Sequence, residues 1–262
     1  MAVVDDNPLT GQLPEEVLLK NAPLIRVLAQ VRFPSILSIE DKGFVAPFQE
    51  SIRDIYPILQ PEQTGGVLLG TQGFTQIWRF IDNSGNWRVS LASDFLALET
   101  TTYSSRSDFL KRFERVLFAL SEHINPQIVD RFGLRYINRL LQQDIVDLSK
   151  FVRPEIAGII TTGFEEQINQ MISEALFKFP EGEDIILVQW GLLPAKATIA
   201  QGVVEPINEP SWVLDLDMSL TERRKFDVQI LMPEAQKFAE RIYTFFRWVV
   251  TTEFLRRFGG EL

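Results

Sequence analysis

The chain has no cysteine. Disulfides, thiol nucleophiles, thiolate-held zinc and iron–sulfur centres are therefore outside its chemistry. Its 262 residues include a single histidine, His123, which excludes a multi-histidine metal site. No run of about 18 uninterrupted apolar residues occurs, so no transmembrane helix is expected. The opening MAVVDDNPLTGQLPEE lacks the basic start and apolar stretch of an export signal. Together with the missing cysteines, this points to a cytoplasmic protein. Positive charge is also short: 26 Lys and Arg face 35 Asp and Glu, a formal net charge of −9. A broad nucleic-acid surface needs the opposite balance, so nucleic acid is demoted as a partner. Phosphate loops are missing too. GGVLLGTQGF has four glycines but neither G-x-x-x-x-G-K-[ST] nor G-x-G-x-x-G. No G-x-S-x-G accompanies His123, which sits at a predicted helix C-terminus, where a cation is favourable.

What is present is ordinary globular material, 45% hydrophobic and 23% charged, with 20 Phe and 5 Trp. Residues 24–33 alternate. Ile25, Val27, Ala29, Val31 and Phe33 share one face and Arg26, Gln30 and Arg32 the other, which predicts a half-buried strand. Residues 43–56 place Phe44, Phe48, Ile52 and Ile55 on one helix face, with Pro47 in the first turn and Pro57 and Pro61 closing the segment. Val67–Leu69 reads as a short strand. Asp82-Asn83-Ser84-Gly85-Asn86 is a hairpin turn between residues 74–81 and 87–90. Residues 91–101 continue as another strand. Ser107 then caps a helix with Phe109, Phe113, Val116, Leu117 and Leu120 as its stripe. Residues 131–141 form the next strand. Residues 142–163 leave room for one or two helical turns and a linker.

Farther on, residues 168–178 read as strand or helix and 185–193 as strand. Residues 211–220 alternate strictly, with Trp212, Leu214, Leu216, Met218 and Leu220 on one face. Pro233 opens a helix running to about Phe258, ended by Gly259-Gly260. Phe246 and Trp248 fall off its main apolar stripe, a pattern that suits a partner or a dimer seam.

Strand, strand and amphipathic helix recur in the same order over IWRF…WRVSLASDFLALETT with SDFLKRFERVLFAL, and over ILVQWGLL…SWVLDLDMSL with PEAQKFAERIYTFF. Internal duplication and chance likeness of β–β–α units both account for this. The predicted class is α+β: two related antiparallel sheet-plus-helix (β-β-α) halves, with merger into one continuous sheet an open option. The predicted divisions are an N-terminal arm over 1–22, a first half over 23–153 and a second over 154–262.

Two constellations carry charge. Arg131, Arg135 and Arg139 share one face of RFGLRYINRLL, and successive arginines stand about 13 Å apart at strand rise. With Arg26 and Arg32 they are the candidate partner- or anion-binding set. The plain alternative is cross-strand salt bridges to Asp94, Asp215 or Asp217. Asp215-Leu216-Asp217 puts two carboxylates on one strand face, a spacing that can hold Mg²⁺ or Mn²⁺. A solvated or ion-paired face explains it equally, and no metal site is assigned.

PLIRVLAQVRFP, the W-R-F…W-R-V-S-L pair, ALETTTYSSRSDF and RFGLRYINRL together resemble a sporadically distributed family of uncharacterised prokaryotic proteins of about 260 residues. Its R-x-G-x-R-Y-x-N strand motif falls here on Arg131, Gly133, Arg135, Tyr136 and Asn138. The resemblance covers most of residues 23–141 and carries no activity, cofactor or catalytic residue. Sporadic distribution implies a link to defence or toxin–antitoxin genes.

The expectation is a non-catalytic binding or regulatory protein, acting through contact with a protein partner, a basic one suiting its charge, or through a homodimer. The alternatives are a small-ligand binder using a sheet–helix cleft and a metal-dependent enzyme using Asp215 and Asp217. No cofactor and no membrane contact are expected.

Overall fold

In a computed structural model of the protein, residues 7–68, 71–164, 167–180 and 182–261 are described. The first alternating segment forms β1 (Leu24–Arg32), with Val27, Ala29 and Val31 fully buried. Period two drives this directly, because burying every second side chain on one face requires extended backbone. Helix α1 follows at Lys42–Ile52, where the Asp41 carboxylate accepts a hydrogen bond from Phe44 N at 3.0 Å. It ends at Ile52, four residues short of the expected boundary, and Ile55 lies in the turn that leads to Pro57. The residue before a proline is pushed away from helical backbone, so the helix unwinds ahead of it.

A meander comes next: β2 (Ile58–Leu68), β3 (Thr71–Ile81), β4 (Trp87–Ala92) and β5 (Phe95–Thr100), each antiparallel to its predecessor. Strand β2 starts nine residues before the expected Val67 and runs through Pro61. It ends the sheet order, and an edge strand tolerates proline because only one of its two sides is paired. The strand expected over 91–101 is divided: Leu91 and Ala92 finish β4, Ser93 and Asp94 turn, and β5 begins at Phe95. At the other hairpin, Asp82 Oδ1 accepts from Asn86 N (3.0 Å) and Trp87 N (3.1 Å), while Gly85 takes a positive φ of 76°.

Helix α2 (Arg106–His123) is capped by Ser105, not the expected Ser107; Ser105 Oγ accepts from Asp108 N at 3.1 Å. Ser105 places the acidic Asp108 at the third helical position, a capping-box spacing that Ser107 lacks. The stripe read from the sequence is the buried face of α2.

After a two-residue β6 (Ile128–Val129) comes β7 (Arg131–Leu141). Residues 142–163 hold three single-turn helices, α3 (Gln143–Val146), α4 (Leu148–Phe151) and α5 (Pro154–Ala157), then a 3-10 turn at Gly158–Thr161. The ambiguous 168–178 segment is strand β8 (Met171–Lys178), paired antiparallel with β9 (Ile185–Leu193). Strands β10 (Ser211–Leu220) and β11 (Arg224–Lys225) precede α6 (Val228–Val249) and α7 (Thr252–Arg257).

Helix α6 departs from its expected limits at both ends. It begins a turn before Pro233, because Asp227 Oδ1 accepts from Gln229 N at 2.9 Å and the added turn buries Val228 and Leu231. It stops at Val249, where Val250 bridges to Val152 and Thr251 Oγ1 caps α7 by accepting from Phe254 N. Phe246 and Trp248, off the main stripe, are both engaged. Phe246 stands 5.6 Å from the Phe254 ring, and the Arg153 guanidinium lies 5.0 Å over the Trp248 ring.

The class is α+β. Among the described residues, nine strands form one antiparallel sheet in the order β2-β3-β4-β5-β1-β7-β10-β9-β8, and β11 pairs with β6 in a second. Contacts gather the chain into two compact units. One comprises Arg26–Leu134 with Ser219–Phe238; the other comprises Arg135–Met218 with the N-terminal segment through Ile25 and the C-terminal segment from Ala239. In the first, α1 and α2 pack together over a core that includes Phe48, Phe80, Phe109 and Phe113. In the second, Phe177 of β8 meets Phe245 of α6 at 5.5 Å and Phe151 meets Phe254 of α7 at 6.3 Å.

Candidate functional site

The arginines follow from strand alternation. In β7, Phe132, Leu134 and Leu140 are buried, and Arg131, Arg135 and Arg139 are half-buried. Ile137 lies on the arginine face and is fully buried, clustered with Val213 of β10, Leu193 of β9 and Val204. Ala197, Ile199, Ala200 and Val203 pack against that cluster. The β9–β10 connection thus covers this stretch of the face. Arg139 Nη2 donates to Glu205 O of the same connection at 2.8 Å.

Arg135 is engaged bidentately. Its Nε donates to Asp215 Oδ1 at 2.8 Å and its Nη2 to Asp215 Oδ2. The Asp215 side chain is 2% exposed and that of Arg135 17%. Burial pushes the Asp215 carboxyl up against the pull of Arg135, with Asp217 adding repulsion. For Arg135, burial lowers the pKa, but the hydrogen bonds to Asp215 and the field of Asp215 and Asp217 outweigh it, so the net shift is up. The guanidinium therefore stays charged, and both Asp215 oxygens are occupied by it. A cation held at the D-x-D pair would have to displace Arg135.

The β1 arginines are paired as well. Arg26 Nη1 lies 3.5 Å from Glu99 Oε2, and Glu99 also holds Arg88 of β4. Arg32 Nη1 donates to Asp94 Oδ2 at 3.2 Å and its guanidinium stands 5.6 Å from the Phe95 ring centroid. Arg131 is half-buried and likewise engaged. The structure therefore sets Arg26 and Arg135 against acids on neighbouring strands and Arg32 against Asp94 in the β4–β5 turn. No group of three or more His, Asp or Glu side chains that could hold a metal occurs among the described residues.

Sequence reasoning passed over β8, which ends the sheet order with β9 as its only strand neighbour among the described residues. Its burial alternates: Met171, Ser173, Ala175 and Phe177 are half-buried, while Ile172, Glu174, Leu176 and Lys178 are exposed. Ile172 is 44% exposed and Leu176 63%. On the same face of β9, Leu187 opposes Leu176 and Gln189 opposes Glu174, with Gln189 Nε2 donating to Glu174 at 2.6 Å. The signal was available in MISEALFK, where Ile and Leu alternate with Glu and Lys on a face that lacks a fully apolar pattern. No family model matches the chain, and neither does any curated protein.

Proposed function

We propose that the chain is a non-catalytic binding protein acting through protein–protein contact, with the β8 edge as its docking surface. The observation that carries this is a terminal strand of eight residues without proline, presenting Ile172 and Leu176 to solvent. An unpaired strand edge offers a row of backbone donors and acceptors that another chain can join, and apolar side chains along it add affinity. The arginine face suits the role less well, because Arg26, Arg32 and Arg135 are already neutralised by Glu99, Asp94 and Asp215. The test is affinity capture followed by titration of the purified captured partner against the wild-type chain and Leu176→Asp. At 63% exposure the substitution leaves the core intact. A loss of about tenfold or more in affinity supports the proposal; unchanged affinity refutes it.

One observation favours the small-ligand reading. A cavity of about 480 Å³ lies beside α6, lined by Arg153, Thr244, Arg247 and Trp248 together with Asn7 and Gln12. That volume falls in the range of small-molecule sites. Arg247 donates to Glu15 O and the Tyr243 hydroxyl and has no carboxylate partner among the described residues. Screening small carboxylates and phosphates by thermal shift, with Arg247→Met as control, checks this reading. A shift that the variant abolishes would favour it over strand docking.

A further inference from the structure

We infer that the strand docked on β8 is β8 of a second copy of this chain, joined antiparallel about a two-fold axis through Leu176. The inference rests on the strand-docking reading above. Opposed residues in an antiparallel pair point to the same side of the sheet. If a second copy extends the sheet, residue i of one copy must therefore face residue j of the other with i and j both even or both odd. Few registers meet this condition while overlapping most of an eight-residue strand. With the axis at Glu174, that carboxylate faces its own copy, and directly opposed like charges destabilise a sheet. With the axis at Ala175, Glu174 faces Leu176 and Ile172 faces Lys178, setting a charge against an apolar group at each of those positions.

Moving the axis to Leu176 resolves both conflicts. Leu176 then faces Leu176, burying the more exposed apolar side chain of the strand against its like. Glu174 faces Lys178 on both sides of the axis, giving two opposite-charge pairs from a single sequence. On the other face, Ala175 meets Phe177. Both side chains are exposed and would exchange solvent-facing contacts within their own chain, Lys178 with Glu183 and Glu174 with Gln189, for the intermolecular pair. The pattern E-A-L-F-K is therefore complementary to itself in one register, which is what an isologous contact requires.

The absence of native cysteine allows a register-specific trap. Cα separations across an antiparallel pair fall within reach of a disulfide, whereas positions several residues out of register do not. Under mild oxidation Leu176→Cys should form a covalent dimer, and Ile172→Cys, which would face position 180, should not. By sedimentation equilibrium the wild type should dimerise, Glu174→Lys should weaken dimerisation about tenfold by opposing lysines at both pairs, and adding Lys178→Glu to that variant should restore it. A dimer that ignores Glu174→Lys, or that is trapped through position 172 and not 176, overturns the assignment. So does a wild type that sediments as a monomer at its highest soluble concentration and gives no Leu176→Cys dimer. That monomer result would leave the docking reading to be decided separately by the Leu176→Asp titration of a captured partner.

Discussion

The two units repeat one connectivity and finish it differently. In the first, β1 leads to α1, a four-strand meander from β2 to β5 and α2, with β1 hydrogen-bonded beside β5, the last meander strand. In the second, β7 leads to short helices, the β8–β9–β10 meander and α6, with β7 beside β10, again the last. The equivalent strand pair carries an equivalent ion pair: Arg26 to Glu99 in one, Arg135 to Asp215 in the other. The surroundings separate them. Glu99 shares its charge with both Arg26 and Arg88, whereas Asp215, on a face partly covered by the β9–β10 connection, has Arg135 alone as its cationic partner among the described residues. One arrangement is a redundant network; the other is a committed pair whose members depend on each other.

Removing one arginine from each arrangement should separate them most. Arg135→Met should destabilise the protein by about 3–5 kcal/mol, the cost of stranding a buried carboxylate. Arg26→Met should cost clearly less, because Glu99 keeps Arg88 as a partner. Denaturant melts of both variants measure the difference. The double variant Arg135→Met/Asp215→Leu should recover most of the loss, since a well-packed apolar pair often equals a buried ion pair. Equal losses for the two single variants would erase the distinction between network and pair.

The β8–β9 hairpin depends on a tight backbone approach. A methyl group added at Gly191 would meet Met171 O at 1.9 Å, so the strands touch there as only glycine permits. Gly191→Ala should cost about 1–3 kcal/mol and raise amide exchange along β8, while the first unit keeps its protection. Protection lost equally in β3–β5 would show that the two meanders do not respond separately.

An alkaline response is expected from the first unit. Tyr56 is buried, and desolvation pushes its hydroxyl up to about 12, with Arg112 pulling the other way. A raised phenol pKa means the folded chain holds its proton more tightly than the unfolded chain. The associated stability is complete below the ordinary value near 10 and is lost as pH rises towards about 12. The loss amounts to about 2–3 kcal/mol. Tyr56→Phe should flatten that alkaline decline in urea melts, and a variant with an unchanged slope would place the titration elsewhere.

Much of this frame was legible in residue order. Strands β1 and β7 and the α2 stripe followed from periods of two and 3.6, because each buries one face and leaves the other in water. The features that escaped depend on distant partners. Pro61 looked like a terminator until β2 took the edge of the sheet, where a missing donor costs little. Residues 168–178 stayed ambiguous because β8 has no fully buried face to impose a period. Arg135 and Asp215 were legible as residue types and as members of a pairing set. That Asp215 holds Arg135 bidentately depends on β10 lying beside β7, a pairing 80 residues apart.

The helix caps of the two units differ more subtly. Ser105 opens α2 in the first unit and Thr251 opens α7 in the second, and each hydroxyl accepts from the backbone N–H three residues on, at 3.1 and 3.2 Å. By local geometry alone, Ser105→Ala and Thr251→Ala should each cost about 1 kcal/mol. Their contexts differ. Ser105 caps an 18-residue helix whose stripe of seven buried residues holds it in place if the first turn frays. Thr251 caps six residues, and its hydroxyl also donates to Lys150 O, tying α7 to the end of α4. Losing it releases both bonds at the point where α6 gives way to α7. Thr251→Ala should therefore exceed Ser105→Ala by about 1 kcal/mol, the worth of one further hydrogen bond. Thr251→Ser, which keeps both bonds, should restore most of the difference. Equal melts for the two alanine variants would reduce Thr251 to an ordinary cap.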